Sequence, residues 1–154
     1  MTTTISNATL TVTITESVTL NGSDQGATNT LTVSNVDEVY KRILTCPASN
    51  TTTIATFNSD AHGAANAIDI EDSKYIRVTN KDNTNAVELA VVGAATLYQV
   101  ALKAGESHIL GSPDDLMLAE ADTSPSFGTM ADLGSIQVNP DSNAVKVELF
   151  IAGA

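Results

Sequence analysis

The histidine best placed to ligate a metal follows a glycine by three residues, in Gly105-Glu106-Ser107-His108. On a strand pair that spacing can turn an imidazole inward toward a cation. A mononuclear site needs more imidazole than this, ordinarily a His-x-His pair with a carboxylate on a neighbouring strand. The only other histidine is His62, in the loop NSDAHGAAN from Asn58 to Asn66, with no partner beside it. His108 therefore reads as a strand residue with a satisfied ring. Asp69-Glu71-Asp72 and Asp82-Asn83-Asn85 offer oxygen ligands of the kind calcium takes, but neither has the spacing of a dedicated calcium loop. Turn formation accounts for both. There is no Gly-x-Ser-x-Gly elbow to expose a nucleophilic serine, and phosphate-cradling glycine loops are absent. No catalytic, cofactor-binding or metal-ligating residue is assigned, and an enzyme is not expected.

The single cysteine, Cys46, rules out an intrachain disulfide and follows an apolar run just before Pro47. A buried inert thiol is the expected state. With 154 residues there is room for one domain with a real core. Tryptophan is absent and only six residues are Tyr or Phe, so that core must be built from Val, Ile, Leu and Ala. The formal net charge of −11, with seven scattered basic residues, argues against a nucleic-acid partner and against an anionic membrane surface. The N-terminal stretch MTTTISNATL lacks the basic start and apolar centre of a signal peptide, and no apolar run reaches membrane length. The sequons at Asn7, Asn21 and Asn50 are accordingly expected to stay unmodified.

The elements that would position these residues are strands. Ile76 and Val78 alternate with Arg77 and Thr79 over Tyr75–Thr79, and Val87, Leu89 and Val91 alternate with Glu88 and Ala90 over Ala86–Val92. Asn80 to Asn85 is turn chemistry between them, and Leu97–Lys103 adds a third strand closed by Ala104-Gly105-Glu106. A β-meander over Lys74 to Leu110 is the expectation. Upstream, Leu10, Val12, Ile14, Val18 and Leu20 share one parity, giving two short strands with a kink or one bent strand. Asn21-Gly22-Ser23-Asp24 turns the chain into a strand at Thr28–Val33, with Leu31 and Val33 inward. Val36 to Cys46 fits helical spacing as well as a strand, and is read as a short helical turn leading into a strand at Tyr40–Cys46. Further strands are expected at Thr51–Phe57, Ala67–Ile70, Asp115–Ala119, Gly134–Val138 and Ala144–Ile151. Between Glu120 and Leu133 lies a loop with a helical turn near Phe127–Leu133. Strands about every ten residues, separated by turn signals, predict an all-β fold. It is a single-domain antiparallel β-sandwich over residues 1–154, jelly-roll-like, with at most one short helix and an N-terminal arm at 1–8.

The segments Tyr75-Ile76-Arg77-Val78-Thr79-Asn80, Val87-Glu88-Leu89, Leu102 to Leu110 and Val145 to Ile151 resemble small virion structural proteins of tailed bacteriophages, marine cyanophages in particular. The resemblance implies a capsid- or tail-associated protein, folded in the host cytoplasm and carried in the virion. It implies the major capsid protein or other virion proteins as partners, and transfers no site residue. A capsid decoration or cement subunit is the leading expectation. The alternatives are a tail or fibre component, a carbohydrate-binding adhesin-like module using the loops at 58–66 and 120–133, and a cupin-like metal enzyme. A homo-oligomer is expected from two second faces, and the resemblance, through capsid sites of three-fold character, makes a trimer the preferred form. One face is Lys146, Glu148 and Phe150; the other is Glu88, Ala90 and Val92, and a monomer would leave Phe150 in water.

Overall fold

The computed structural model describes residues 4, 6–59, 67–120 and 123–154. The chain forms strands β1 (Ala8–Thr15), β2 (Thr19–Leu20), β3 (Ser23–Asp24), β4 (Thr28–Val36), β5 (Glu38–Cys46), β6 (Thr52–Asn58) and β7 (Ile68–Asp69). It continues with β8 (Ser73–Asn80), β9 (Val87–Gly93), β10 (Leu97–Leu102), β11 (Ser107–Leu110), β12 (Leu133–Pro140) and β13 (Val145–Gly153). No helix occurs among the described residues.

Two sheets face each other. The first has the order β11-β8-β13-β5, and the second β10-β9-β12-β6 with the two-residue β7 added in parallel at the β6 edge. Numbering the eight long strands from β5 onward, the sheets run 1-8-3-6 and 2-7-4-5, which is jelly-roll connectivity. The fold is thus an all-β antiparallel sandwich. The expected meander is not formed. β8 and β9 lie in different sheets, because the Asn80–Ala86 turn carries the chain across the sandwich instead of back along its neighbour. Only β9 and β10 pair as a hairpin, and Ser107 to Leu110 makes a fourth strand that returns to β8.

The interior is aliphatic, as the composition demands. Ile76, Val78, Val147, Leu149 and Ile151 from one sheet meet Leu89, Val91, Leu133, Ile136 and Val138 from the other, all essentially inaccessible. Each such side chain contributes about 1.5–3 kcal/mol relative to exposure. The alternation read at Tyr75–Thr79, Ala86–Val92 and Ala144–Ile151 is what places them there.

Several expectations are corrected. The helical turn before β5 is replaced by continuous strand. Its apolar residues lie at helical intervals because β5 is an edge strand with apolar groups on both faces, Tyr40 and Leu44 inward, Val39 and Ile43 outward. Phe127–Leu133 forms no helical turn; Leu133 is instead the buried first residue of β12. Asp115–Ala119 makes only a single bridge, Met117 to Ala131, and Ala67–Ile70 shrinks to β7. The proposed N-terminal arm ends where Ala8 pairs with Val36, and residues 1–3 and 5 of it lie outside the described residues. So do His62 and most of the loop at 58–66.

Candidate interaction surface

Among the described residues first considered for chemistry, His108, Asp82, Asp69 and Cys46 are occupied in holding the fold. His108 does point inward, as its spacing suggested, but it sits on edge strand β11 and meets Tyr98 of edge strand β10. The Tyr98 hydroxyl and His108 Nε2 are 3.0 Å apart, with the rings edge to face. This pair closes one open side of the sandwich. Burial pushes the imidazole below its ordinary value and the Tyr98 hydroxyl above its own.

Asp82 is consumed by its own turn. Its Oδ1 accepts from the backbone N–H groups of Thr84 (2.8 Å) and Asn85 (2.7 Å) and from Asn85 Nδ2 (3.1 Å). These bonds hold the carboxyl below the usual range. Asp69 Oδ1 accepts from the Glu71 N–H in the same manner. Among the described residues, three acids that the sequence reading passed over converge: Asp114, Asp115 and Asp132. All are exposed, and Asp132 Oδ1 accepts from the Asp115 N–H. Cys46 is fully buried in the core, and burial raises its thiol.

Of the segments that carried the virion resemblance, Tyr75 to Asn80, Ser107 to Leu110 and Val145 to Ile151 lie side by side in the first sheet, while Val87 to Leu89 lies in the second. Asn80, fully buried, donates from Nδ2 to the carbonyls of Asn85 (2.8 Å) and Leu102 (3.0 Å), while its Oδ1 accepts from the Asp82 N–H (2.9 Å). Its backbone N–H reaches the Glu106 carbonyl at 2.9 Å, and its own carbonyl accepts from Gly105, whose φ of 79° suits glycine. On the outer face Arg77 donates to Glu148 and to Thr79 Oγ1, and Thr79 Oγ1 lies 2.7 Å from Ser107 Oγ.

A long hairpin crosses that face. β1 and β4 form a two-stranded ribbon, prolonged by β2 and β3 and closed by Asn21-Gly22 at φ 52° and 79°, the conformation a two-residue hairpin turn requires. At its base Leu10, Val12 and Val33 pack with Val36, Tyr75, Phe150 and Ala152 in a small second cluster. Tyr75 and Phe150 meet edge to face at 6.1 Å, and the Arg77 guanidinium lies 5.8 Å from the Phe150 ring centre. Phe150 thus points away from the main core as expected, but the chain's own hairpin partly covers it. Farther out, no described residue packs with the ribbon's apolar side chains in either cluster. Ile14, Val18, Leu20 and Leu31 are 45–61% exposed, although Leu31 was expected to face inward.

No family model matches the chain, and no curated protein matches it. Among solved structures it is similar to one described under the words "Bacillus endospore appendages form a novel family of disulfide-linked pili". The identity is 11%, over 75% of this chain and 81% of that chain, with a TM-score of 0.47. A likeness so distant carries no functional argument.

Proposed function

We propose that this protein is a structural subunit of a tailed-phage virion, a capsid decoration or cement protein that binds the shell through one face of its sandwich. It folds in the host cytoplasm, assembles as a homo-oligomer with a trimer preferred, and acts without catalysis or cofactor. The observation that supports this reading is the joining of three of the four virion-like segments, on β8, β11 and β13, into one hydrogen-bonded unit. Arg77, Thr79, Ser107 and Glu148 fix the outer face, and Asn80 with Gly105-Glu106 fixes its end. A jelly roll is compatible with many functions, so the fold alone does not carry the proposal. Antibody labelling of purified particles tests it. Labelling spread over the shell is expected; labelling confined to the tail would move the protein there, and none at all would overturn the proposal.

A second reading, glycan recognition, has one feature in its favour. On the outer face of the second sheet Glu88, Gln99, Gln137 and Asn139 line a groove of about 110 Å³, and Asn139 Oδ1 is buried without a hydrogen-bond partner among the described residues. Amides beside a carboxylate suit sugar hydroxyls. No aromatic ring lines this groove to stack on a sugar. A glycan array with no signal at high protein concentration would dismiss it.

A further inference from the structure

We infer that the overhanging end of the β1–β4 hairpin docks on the outer face of the first sheet of a second copy of this chain, head to tail. The inference deepens the homo-oligomeric part of the proposed function and stands independently of the virion.

Continuity gives the first argument. Leu10 pairs with Val33 and Val12 with Leu31, so Leu10, Val12, Ile14, Leu31 and Val33 share one ribbon face. The inner part of that face already lies on Tyr75 and Phe150 of its own sheet. Its outer part carries the same kind of apolar side chain and, among the described residues, stays exposed. A two-stranded ribbon without a covered face is marginal in water, so the overhang is a surface that lacks its partner.

The sheet presents the matching surface. Beyond the ribbon's own footprint, Val39 and Ile43 on β5 and Ile109 on β11 remain 41–59% exposed on the outer face. Lys41 and Lys146 flank them; Lys41 is directly opposite Phe150 and Lys146 opposite Thr45 in the β5–β13 ladder. Arg77 lies on the same face, and Lys81 at its end hydrogen-bonds to the Lys146 carbonyl. Three of the seven basic residues of an acidic chain therefore lie on this face and a fourth at its end, with Glu148, paired to Arg77, the acid among them. The ribbon is their complement: from Met1 to Tyr40 the chain has no Lys or Arg, and Glu16 and Asp24 stand near the exposed apolar group. The ribbon of one copy seated on the sheet of the next is a heterologous, head-to-tail contact, and such contacts close into rings when the rotation permits.

Light scattering on the purified full chain at tens of micromolar and low salt tests this. The wild type is expected above monomer mass, shifting toward monomer as salt screens the charges. A ribbon variant, I14S/L31S, and a sheet variant, K41E/I43S, should each run as a monomer. All four side chains are exposed, and unchanged thermal unfolding would establish that the variants fold; L20S and V39S replace any that do not. Mixing the two variants should restore a dimer, because one intact ribbon still meets one intact sheet. A monomeric wild type would overturn the inference, even if ribbon variants failed to bind particles. So would a sheet variant that stays oligomeric, which points to ribbon-on-ribbon pairing, or a mixture that stays monomeric. Failure to find the protein in virions would sink the proposed function and leave this result untouched.

Discussion

Arg77 Nη2 donates to Glu148 Oε1 at 2.7 Å across strands β8 and β13, on the outer face of the first sheet. Glu148 is buried there beneath a face that also carries Phe150 and the hairpin base. Removing its charge leaves the guanidinium short of an ionised acceptor. Glu148→Gln is expected to lower folding stability by about 1–3 kcal/mol, the range for a lost partner of a charged hydrogen bond. Chemical denaturation measures it, and a change indistinguishable from zero would mean the pair is merely solvated.

Asn80 ties the crossing turn to two other segments. Asn80→Ala leaves the Leu102 carbonyl and the Asp82 N–H without these partners in a buried setting. A loss of about 2–4 kcal/mol is expected by equilibrium unfolding. Asn80→Asp should also destabilise, since a carboxylate cannot donate to the Asn85 and Leu102 carbonyls.

Stability should fall as the solution is acidified, in two stages. The Arg77 hydrogen bond, assisted by Lys41 and Lys81 and opposed by burial, holds the Glu148 carboxyl below its ordinary value. Its contribution is present above the unfolded value, about 4.3, and is lost as pH drops through the lower folded value. Burial holds the His108 imidazole down as well, so the unfolded chain takes up that proton first, below about pH 6.5. Asp114, raised by desolvation and by Asp115 and Asp132, acts in the opposite sense. Denaturation across pH 3–7 should therefore show a slope that flattens at its acid end in Glu148→Gln and nearer neutrality in His108→Gln. Unaltered slopes would contradict these assignments.

Cys46 should be inert in the native state. It is fully buried and its thiol is raised by burial, a shift only partly offset by a hydrogen bond with Thr52. Reaction with a water-soluble thiol reagent should be slower than in denaturant by on the order of 100-fold or more. Equal rates would place the thiol at the surface.

The sandwich was legible in the sequence wherever one strand face is dry. Val87-Leu89-Val91 and Val145-Val147-Leu149-Ile151 alternate cleanly because the opposite face meets water or a thin second cluster. Pairing was not legible. Nothing local distinguishes a turn that folds back from one that crosses to the facing sheet, so β8 and β9 were expected side by side. The apolar spacing of Val36 to Leu44 mimicked a helix for a related reason, since the edge strand β5 carries apolar groups on both faces, Tyr40 and Leu44 inward and Val39 and Ile43 outward. The exposed ribbon escaped notice because Ile14 and Leu31 carry the same alternation as the covered Leu10 and Val33. Periodicity reports which residues share a face, and it is silent on where the underlying sheet ends. Asp132 joins Asp114 and Asp115 through the bridge of Met117 with Ala131 and the backbone bonds beside it, a long-range pairing that spacing could not disclose.

Quantitative mass spectrometry of purified virions tests most directly the proposal that the chain is a structural component of a virus particle. Peptides of this chain, such as those around Tyr75 to Asn80, should occur at a fixed ratio to the major capsid protein and in copy numbers of the order of the shell's symmetry sites. Their absence from mature particles, with the protein present only in the infected-cell lysate, would contradict the account.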